Sequence, residues 1–290
     1  MHLLELRPDT LEAAVALDAP LFLPFGTVEW HSDHLPLGLD TLVAEAVCRQ
    51  WAGAAGVVAP AISWGIGGVP FPGTVRFDPD TLEALYRGLF AQCAHLGFRR
   101  LCAVPGHYGL EQLLALKRAA LWHQRQGGGA ALVCPVYELS SDLGYDGADH
   151  AGLIETSLML WARADLVDRE RLERPEPLDG VIGRDPRTAS AEQGERLVQA
   201  AGERVWARLE RLAASARERS AYLDALGVQV QVLELLARAR SHLPRARVPP
   251  LSSPRYLQAL QHLAAGEDIQ AKATLNEVWS DLLDKLKGEL

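Results

Sequence analysis

Twelve consecutive residues, 29–40, carry two imidazoles and three carboxylates directly after an apolar run at 21–25. If extended geometry continues past that run, Glu29 and His31 stand at alternate positions and point to the same side. A carboxylate oxygen and an imidazole nitrogen on one side, joined by Asp40 after a turn, suit a divalent transition metal. The segment therefore predicts a metal site, with a solvated surface loop rich in His and Asp as the alternative interpretation.

The elements that must position these residues are apolar runs alternating with helical patterns. Strands are predicted at 21–25, 57–62, 100–104 and 130–136, and helices at about 41–52, 80–96 and 109–125. Strands separated by helices of this length form a largely parallel sheet covered on both faces, so the predicted fold class is α/β, a three-layer α/β/α sandwich.

Ligands of such sheets lie outside the carboxyl ends of the strands. Three polar segments fall there: 29–40, Gly106 with His107, and Asp149-His150 with Glu155. We therefore expect these three segments to converge on one site.

The chain changes character near residue 190. Long amphipathic helices are predicted at 191–223 and 228–241, then a basic, Pro-containing linker at 243–250, and two further helices between 253 and 290. Their apolar stripes are typical of packing surfaces. The prediction is a domain over residues 1–215 followed by a helical C-terminal extension over 216–290.

Composition limits the function classes. The net charge of -8 argues against nucleic acid or an anionic membrane as the main partner and favours a small-molecule substrate. Four cysteines without a CxxC pair (Cys48, Cys93, Cys102 and Cys134) are typical of a reducing compartment. Neither a cleavable signal nor a membrane-spanning run is visible, so a cytoplasmic location is expected.

The polar segments resemble the signatures of the creatininase (creatinine amidohydrolase) family. Residues 29–40, EWHSDHLPLGLD, are similar to its E-x-H-G-x-H-L-P-x-x-x-D motif, and residues 71–74 to its F-P-G-T segment. Gly106-His107-Tyr108 resembles the family's G-H-Y-E-N segment, and residues 150–157 resemble its H-A-G-x-x-E-T-S segment. The resemblance covers roughly residues 1–215.

This resemblance implies a metal-dependent amidohydrolase with two divalent ions, zinc, manganese or iron. By position, Glu29 and His107 would bind one ion and His31 the other, with Asp40 bridging both. His150 would be the catalytic histidine beside the substrate, and Glu155 a metal ligand or a supporting catalytic carboxylate. The residues expected to line the substrate pocket are Trp30, His34, Trp64, Thr74 and Tyr108. This assignment is chemically coherent, because a two-metal site needs a carboxylate that spans both ions and an imidazole that moves a proton to the leaving nitrogen.

The chain departs from the family pattern at several positions. Ser32 and Asp33 replace the family's Gly and Pro, and Trp30 replaces its common Gln. Gly109 stands where the creatinine-hydrolysing form has a metal-binding Glu, and Leu110 replaces the family's Asn. No histidine occurs at 67–71, where many members carry one. We therefore expect Glu155 to supply the missing carboxylate, with Asp33 or Asp149 in reserve, and a substrate other than creatinine.

The leading hypothesis from sequence is hydrolysis of a small amide, cyclic amide or formamide. Two alternatives remain: a degenerate family member that acts as a binding or assembly protein, and a metal-dependent peptidase of short peptides. A homo-oligomer is expected, because family members are commonly oligomeric and the tail offers additional interface area.

Overall fold

The computed structural model describes residues 1–143, 149–243 and 252–287. Within them, a parallel sheet has the strand order β2-β1-β3-β4. The strands are β1 (Leu21–Phe25), β2 (Val57–Val58), β3 (Arg100–Pro105) and β4 (Ala130–Val133). The helices of the first part of the chain are α1 (Pro8–Ala16), α2 (Leu39–Ala52), α3 (Pro79–His95), α4 (Leu110–Arg125), α5 (Val136–Leu139), α6 (Leu153–Arg163) and α7 (Arg169–Leu172). Those that follow are α8 (Ala191–Ala214), α9 (Ala216–His242), α10 (Pro254–Ala265) and α11 (Asp268–Leu286).

The sheet has an apolar layer on each face, as predicted for a three-layer sandwich. Alternate residues of a strand point to opposite faces, and in β3 Leu101 packs in one apolar cluster while Cys102 packs in the other. The cluster around Leu101 includes side chains of α1 and α3, whereas the cluster around Cys102 includes side chains of α2, α6 and α8. The predicted fold class is therefore confirmed.

Three predicted element boundaries are wrong. Strand β2 ends at Val58 rather than at 62, because Pro60 has no N–H for the ladder; Ile62 regains only an isolated bridge to Phe25. Strand β4 stops at Val133, and Pro135 caps the start of α5. The helix predicted over 191–223 breaks at Ser215, whose backbone is extended and whose side chain accepts a hydrogen bond from the N–H of Glu218.

The C-terminal helices pack on the rest of the chain. Helix α9 lies against α4, where Arg118 pairs with Glu234 at 2.8 Å, and α10 lies against α5. Arg208 of α8 forms a buried ion pair with Asp268 of α11. One buried apolar cluster includes residues on both sides of the predicted boundary at 215. Residues 244–250 of the predicted linker lie outside the described residues. Among the described helices, none combines the length and apolarity needed to cross a membrane.

Candidate metal centre

The three polar segments converge at the carboxyl ends of β1 and β3. Asp40 is the second residue of α2, and two glycines let that helix approach both strand ends. A Cβ on Gly26 would lie 2.4 Å from the backbone of Thr41, and one on Gly106 would lie 2.0 Å from the carbonyl oxygen of Asp40. Neither position has room for a side chain, so these glycines hold Asp40 next to the residues that follow the strands.

Among the described residues three triads of buried donors form there: two share Asp40, and the third is Glu29, His31 and His150. The first triad is Glu29, Asp40 and His107, and the second is His31, Asp40 and Glu155; the potential ligand atoms within each lie within 4.8 Å of one another. Asp40 Oδ2 lies 3.4 Å from His107 Nδ1, and Asp40 Oδ1 lies 3.1 Å from His31 Nε2. The two oxygens of one carboxylate thus face different triads, which is the arrangement that a bridging carboxylate requires.

Main-chain carbonyls orient the imidazoles of the two triads that share Asp40. His31 Nδ1 lies 3.0 Å from the carbonyl oxygen of Glu29, and His107 Nε2 lies 3.2 Å from that of Ile66. Because a carbonyl oxygen can only accept, these ring nitrogens carry the hydrogen. The other nitrogen of each ring faces the carboxylates and is the one that would bind a metal, as in protein metal sites whose second ring nitrogen is held by a carbonyl.

The buried polar atoms of this site fit divalent cations. Among the described residues, Glu29 Oε2, His31 Nε2 and both carboxylate oxygens of Asp40 are buried and have no well-aligned hydrogen bond, although they lie 2.8–3.4 Å from one another or from His107 Nδ1. Buried charges are normally paired or coordinate a metal. Three buried carboxylates and two oriented imidazoles are the donor set of a centre for two divalent cations such as Zn²⁺ or Mn²⁺.

The pKa shifts of the site residues show that the site favours positive charge. Burial alone would lower the pKa of His31, but Asp40 and then Glu155 raise it to about 10. Burial likewise opposes the charged form of His107, yet Asp40 and Glu29 raise its pKa well above the usual value. Burial raises the pKa of Glu155 well above its usual range. All three shifts favour a bound proton, which is consistent with a site whose buried carboxylates attract positive charge.

His150 lies at the edge of the two triads that share Asp40. Its ring stacks on His31 with centroids 4.4 Å apart, and its Nε2 donates a 2.9 Å hydrogen bond to the carbonyl oxygen of Trp30. The remaining nitrogen, Nδ1, lies 3.7 Å from Glu29 Oε1. Burial, with His31 second, lowers the pKa of His150 to about 4. The ring is therefore neutral near pH 7 with a lone pair directed into the site.

Glu155 belongs to the His31 triad, whereas Gly109, where the family carries a Glu, lies beside His107 of the other triad. Glu155 Oε2 lies 3.5 Å from His31 Nε2 and accepts a 2.7 Å hydrogen bond from the N–H of Ala151. The two reserve carboxylates lie elsewhere: Asp149 accepts hydrogen bonds from the N–H groups of Ile154 and Glu155, and Asp33 is exposed. A side chain at Gly109 would put its Cβ 2.4 Å from His107 Nε2.

The residues predicted to line the pocket differ in their contacts and in how exposed they are. Thr74 Oγ1 accepts a hydrogen bond from the N–H of Trp30, and the Trp30 ring stacks on Phe71. Tyr108 is buried next to His107, whereas Trp64 is 50% exposed and packs on Phe77.

His34, which was predicted to line the pocket, has its Nε2 3.0 Å from the hydroxyl of Thr156. Burial, followed by His31, lowers the pKa of His34 to about 4. Its ring thereby contacts the residue that follows Glu155.

Sequence reasoning missed Val69, whose N–H donates a 2.6 Å hydrogen bond to Glu29 Oε1. The adjacent pair Gly67-Gly68 was a usable signal for this contact. Both glycines have positive φ, and a Cβ on Gly68 would lie 3.0 Å from the same oxygen. The backbone here approaches Glu29 more closely than other residue types allow.

Two residues without the freedom of glycine are also left-handed at this site. Ser32 has φ 59° and Ala151 has φ 51°, and each is adjacent to a site histidine, His31 or His150. The position of Ser32 is one where the family motif carries Gly. Such strained residues cluster at functional sites because the surrounding structure enforces them.

Comparisons with known proteins agree with this geometry. A family model for creatinine amidohydrolases, Creatininase, matches residues 5–209. Creatinine amidohydrolase of Pseudomonas putida is 31% identical over 236 residues, covering 67% of this chain and 90% of that protein. The mycofactocin precursor peptide peptidase of Mycobacterium tuberculosis is 30% identical over 237 residues, covering 68% of this chain and 86% of that protein.

Solved structures give the same result. A crystal structure of creatinine amidohydrolase superposes with a TM-score of 0.62 at 28% identity, covering 73% of this chain and 97% of the other. A manganese form of creatininase has a TM-score of 0.60 at 28% identity, and a mutant of Zn-Zn type has 0.59 at 27% identity; each covers 73% of this chain and 98% of the other. Sequence, fold and a donor set suited to divalent metal lead to one conclusion: the chain belongs to the creatininase family of metal-dependent amidohydrolases.

Proposed function

We propose that this protein hydrolyses the C–N bond of a small amide, cyclic amide or formamide at a two-metal centre. The observation that carries the proposal is Asp40, whose two oxygens face separate triads at 3.1 and 3.4 Å. When bound, a pair of divalent cations polarises the substrate carbonyl and lowers the pKa of water towards neutrality. Glu29, Asp40 and His107 would hold one cation, and His31, Asp40 and Glu155 the other.

The chain's own residues supply proton transfer and orientation. His150 keeps its Nε2 hydrogen on the Trp30 carbonyl, so Nδ1 is the atom that accepts a proton and returns it to the leaving nitrogen. The N–H of Ala151 fixes the Glu155 carboxylate, and the N–H of Val69 fixes that of Glu29. The site donors are all nearly buried, which excludes bulk water and favours a small substrate.

A second candidate function is hydrolysis of short peptides. Two observations favour it: the 30% identity to mycofactocin precursor peptide peptidase, and exposed apolar side chains in the segments that flank the site. Phe71 is 38% exposed and stacks on Trp30, and Ile182 is 42% exposed and pairs through its backbone with His150. Apolar side chains in such positions suit the side chains of a peptide.

One screen separates these functions. The metal-free protein is loaded with manganese, zinc or iron and offered creatinine, lactams, formamides and short peptides, with chelator-treated protein and Asp40→Ala as inactive controls. Turnover of a non-peptide amide supports the first proposal, and turnover confined to peptides supports the second. A protein that purifies without metal when zinc and manganese are supplied, and that hydrolyses nothing, would instead be the binding or assembly protein.

We also propose that the protein forms a homo-oligomer in the cytoplasm. Trp279 and Leu283 are four residues apart on α11 and remain 36% and 39% exposed, an apolar surface suited to self-association. Sedimentation equilibrium tests the oligomer, and a monomer at micromolar concentration would reject it.

A further inference from the structure

Buried tyrosines connect the metal centre to the C-terminal helices. Tyr108 follows the site residue His107, and its ring packs edge to face on Tyr137 of α5 with centroids 5.0 Å apart and an interplanar angle of 70°. Tyr108 and Tyr137 are 8% and 4% exposed. The orientation of Tyr108 therefore depends on where α5 holds Tyr137.

Helix α5 is in turn covered by α10. Tyr256 of α10 is 2% exposed, its hydroxyl accepts a 3.2 Å hydrogen bond from Gln229 of α9, and it belongs to the same buried apolar cluster as Tyr137. On its other side Tyr137 donates to Glu138, which forms a buried 2.8 Å ion pair with Lys117. Tyr137 is thus fixed between the central part of the chain and the C-terminal helices.

The Tyr108 hydroxyl, at the metal-centre end of this series of tyrosines, has no role in the hydrolysis described above. Among the described residues, the Tyr108 hydroxyl is buried without a hydrogen-bond partner. The carboxylates of Glu155, Asp149 and Asp40 lie near enough to interact with it electrostatically. A buried, unpaired hydroxyl beside the donor triads is suited to bind a polar group of a substrate.

We propose that Tyr137 is a positioning residue for Tyr108, and that α10 holds Tyr137 through Tyr256, so that the C-terminal helices control how tightly the substrate binds. The effect on substrate binding rests on the proposed hydrolytic function. The contact between the C-terminal helices and the site is independent of that function. The family model ends at residue 209, so α9, α10 and α11 would contribute an element of this site that lies beyond the matched region.

The contact itself is tested without substrate. The full-length protein, which has six tyrosines, is labelled with 3-fluorotyrosine, and the ¹⁹F resonance of Tyr108 is assigned with Tyr108→Phe. Tyr256→Ala should shift or broaden that resonance. The matched control is Leu82→Ala, which removes a buried side chain of α3 from the apolar cluster on the opposite face of the sheet and should leave the Tyr108 resonance in place. An unmoved resonance in Tyr256→Ala would overturn the proposal.

Two variants at Tyr137 test the contact with Tyr108 directly if Tyr256→Ala does not fold. Tyr137→Leu removes the aromatic edge and should move the Tyr108 resonance, whereas Tyr137→Phe keeps the ring and should restore it. If both variants give the wild-type resonance, Tyr137 does not position Tyr108.

Kinetics then tests the functional consequence on whichever substrate the wild-type protein turns over. Loss of one oriented hydrogen bond should raise KM about tenfold in Tyr137→Leu while kcat changes less than about threefold. Tyr137→Phe should be close to wild type, and both variants should keep wild-type metal content. A fall in kcat at unchanged KM would contradict the positioning role. If the wild type hydrolyses nothing, the hydrolytic function fails, while the ¹⁹F measurement still decides the structural connection.

Discussion

The main-chain N–H of Val69 donates a 2.6 Å hydrogen bond to Oε1 of Glu29. This bond leaves the other carboxylate oxygen, Oε2, facing His107 Nδ1 at 2.8 Å. A residue outside the family motif therefore fixes the orientation of a motif carboxylate. Experiments that only mutate the metal donors or remove the metal with a chelator would not detect this contact.

Gly68→Ala should weaken metal binding, because its Cβ would lie 3.0 Å from Glu29 Oε1 and displace the carboxylate. Supporting contacts of metal ligands are typically worth 10- to 100-fold in affinity, so a loss of about tenfold or more is expected in a chelator competition assay. Gly67→Ala is the matched control: it also has positive φ, but its nearest neighbour, Glu111 Oε2, is 3.6 Å away. Both variants should lose about 1 kcal/mol of folding stability. Equal metal affinity in the two variants would rule out the Val69 contact as a determinant of the site.

The sharing of Asp40 predicts a specific metal stoichiometry. Asp40→Ala removes a donor from both triads and should reduce the metal content from about two ions per chain to nearly none. Glu155→Ala removes a donor from only one triad and should leave about one ion. Elemental analysis after dialysis measures both, with Asp33→Ala as a control expected to keep wild-type content because Asp33 is exposed. Unchanged metal content in Asp40→Ala would refute the bridging role.

Ser32→Gly should stabilise the protein. Ser32 has φ 59°, where a Cβ costs roughly 1–2 kcal/mol, and its hydroxyl is buried without a hydrogen-bond partner in the described part of the chain. An increase of about 1 kcal/mol in the free energy of unfolding is therefore expected from urea denaturation. The same exchange at Ser220, an exposed residue within α9, should instead destabilise by roughly 0.5 kcal/mol. If Ser32→Gly is as destabilising as Ser220→Gly, the strain at Ser32 is not present in solution.

Gly109→Ala should disturb His107 instead of adding to the site. The new Cβ would lie 2.4 Å from His107 Nε2, which donates to the carbonyl oxygen of Ile66. We expect Gly109→Ala to lose the ion bound by Glu29, Asp40 and His107. For the same reason, Gly109→Glu, which restores the family's residue, should not produce creatininase activity. The control Gly88→Ala lies in α3 with open space around its Cβ and should keep metal and gain up to about 1 kcal/mol of stability. Wild-type metal affinity in Gly109→Ala would contradict the steric argument.

The fold class and the convergence of the donors were predictable from sequence, because apolar runs and the polar residues that follow them indicate sheet edges. The motif positions identified Glu29, His31, Asp40, His107 and Glu155, and the structure brings them together. The Ser215 break was missed although Ser215 and Glu218 form a recognisable helix start. The contacts of Val69 and Tyr137 depend on how loops and helices distant in sequence pack, which local residue patterns do not encode.

The orientation of the three site imidazoles comes from peptide carbonyls of Glu29, Trp30 and Ile66. A peptide carbonyl remains whatever side chain its residue carries, so substitutions there leave the acceptor in place as long as the backbone path is kept. This explains how the chain can hold Trp30 in place of the family's common Gln and still present three correctly turned rings. Side chains around the site can therefore differ between proteins while the backbone keeps the tautomers of the three histidines fixed.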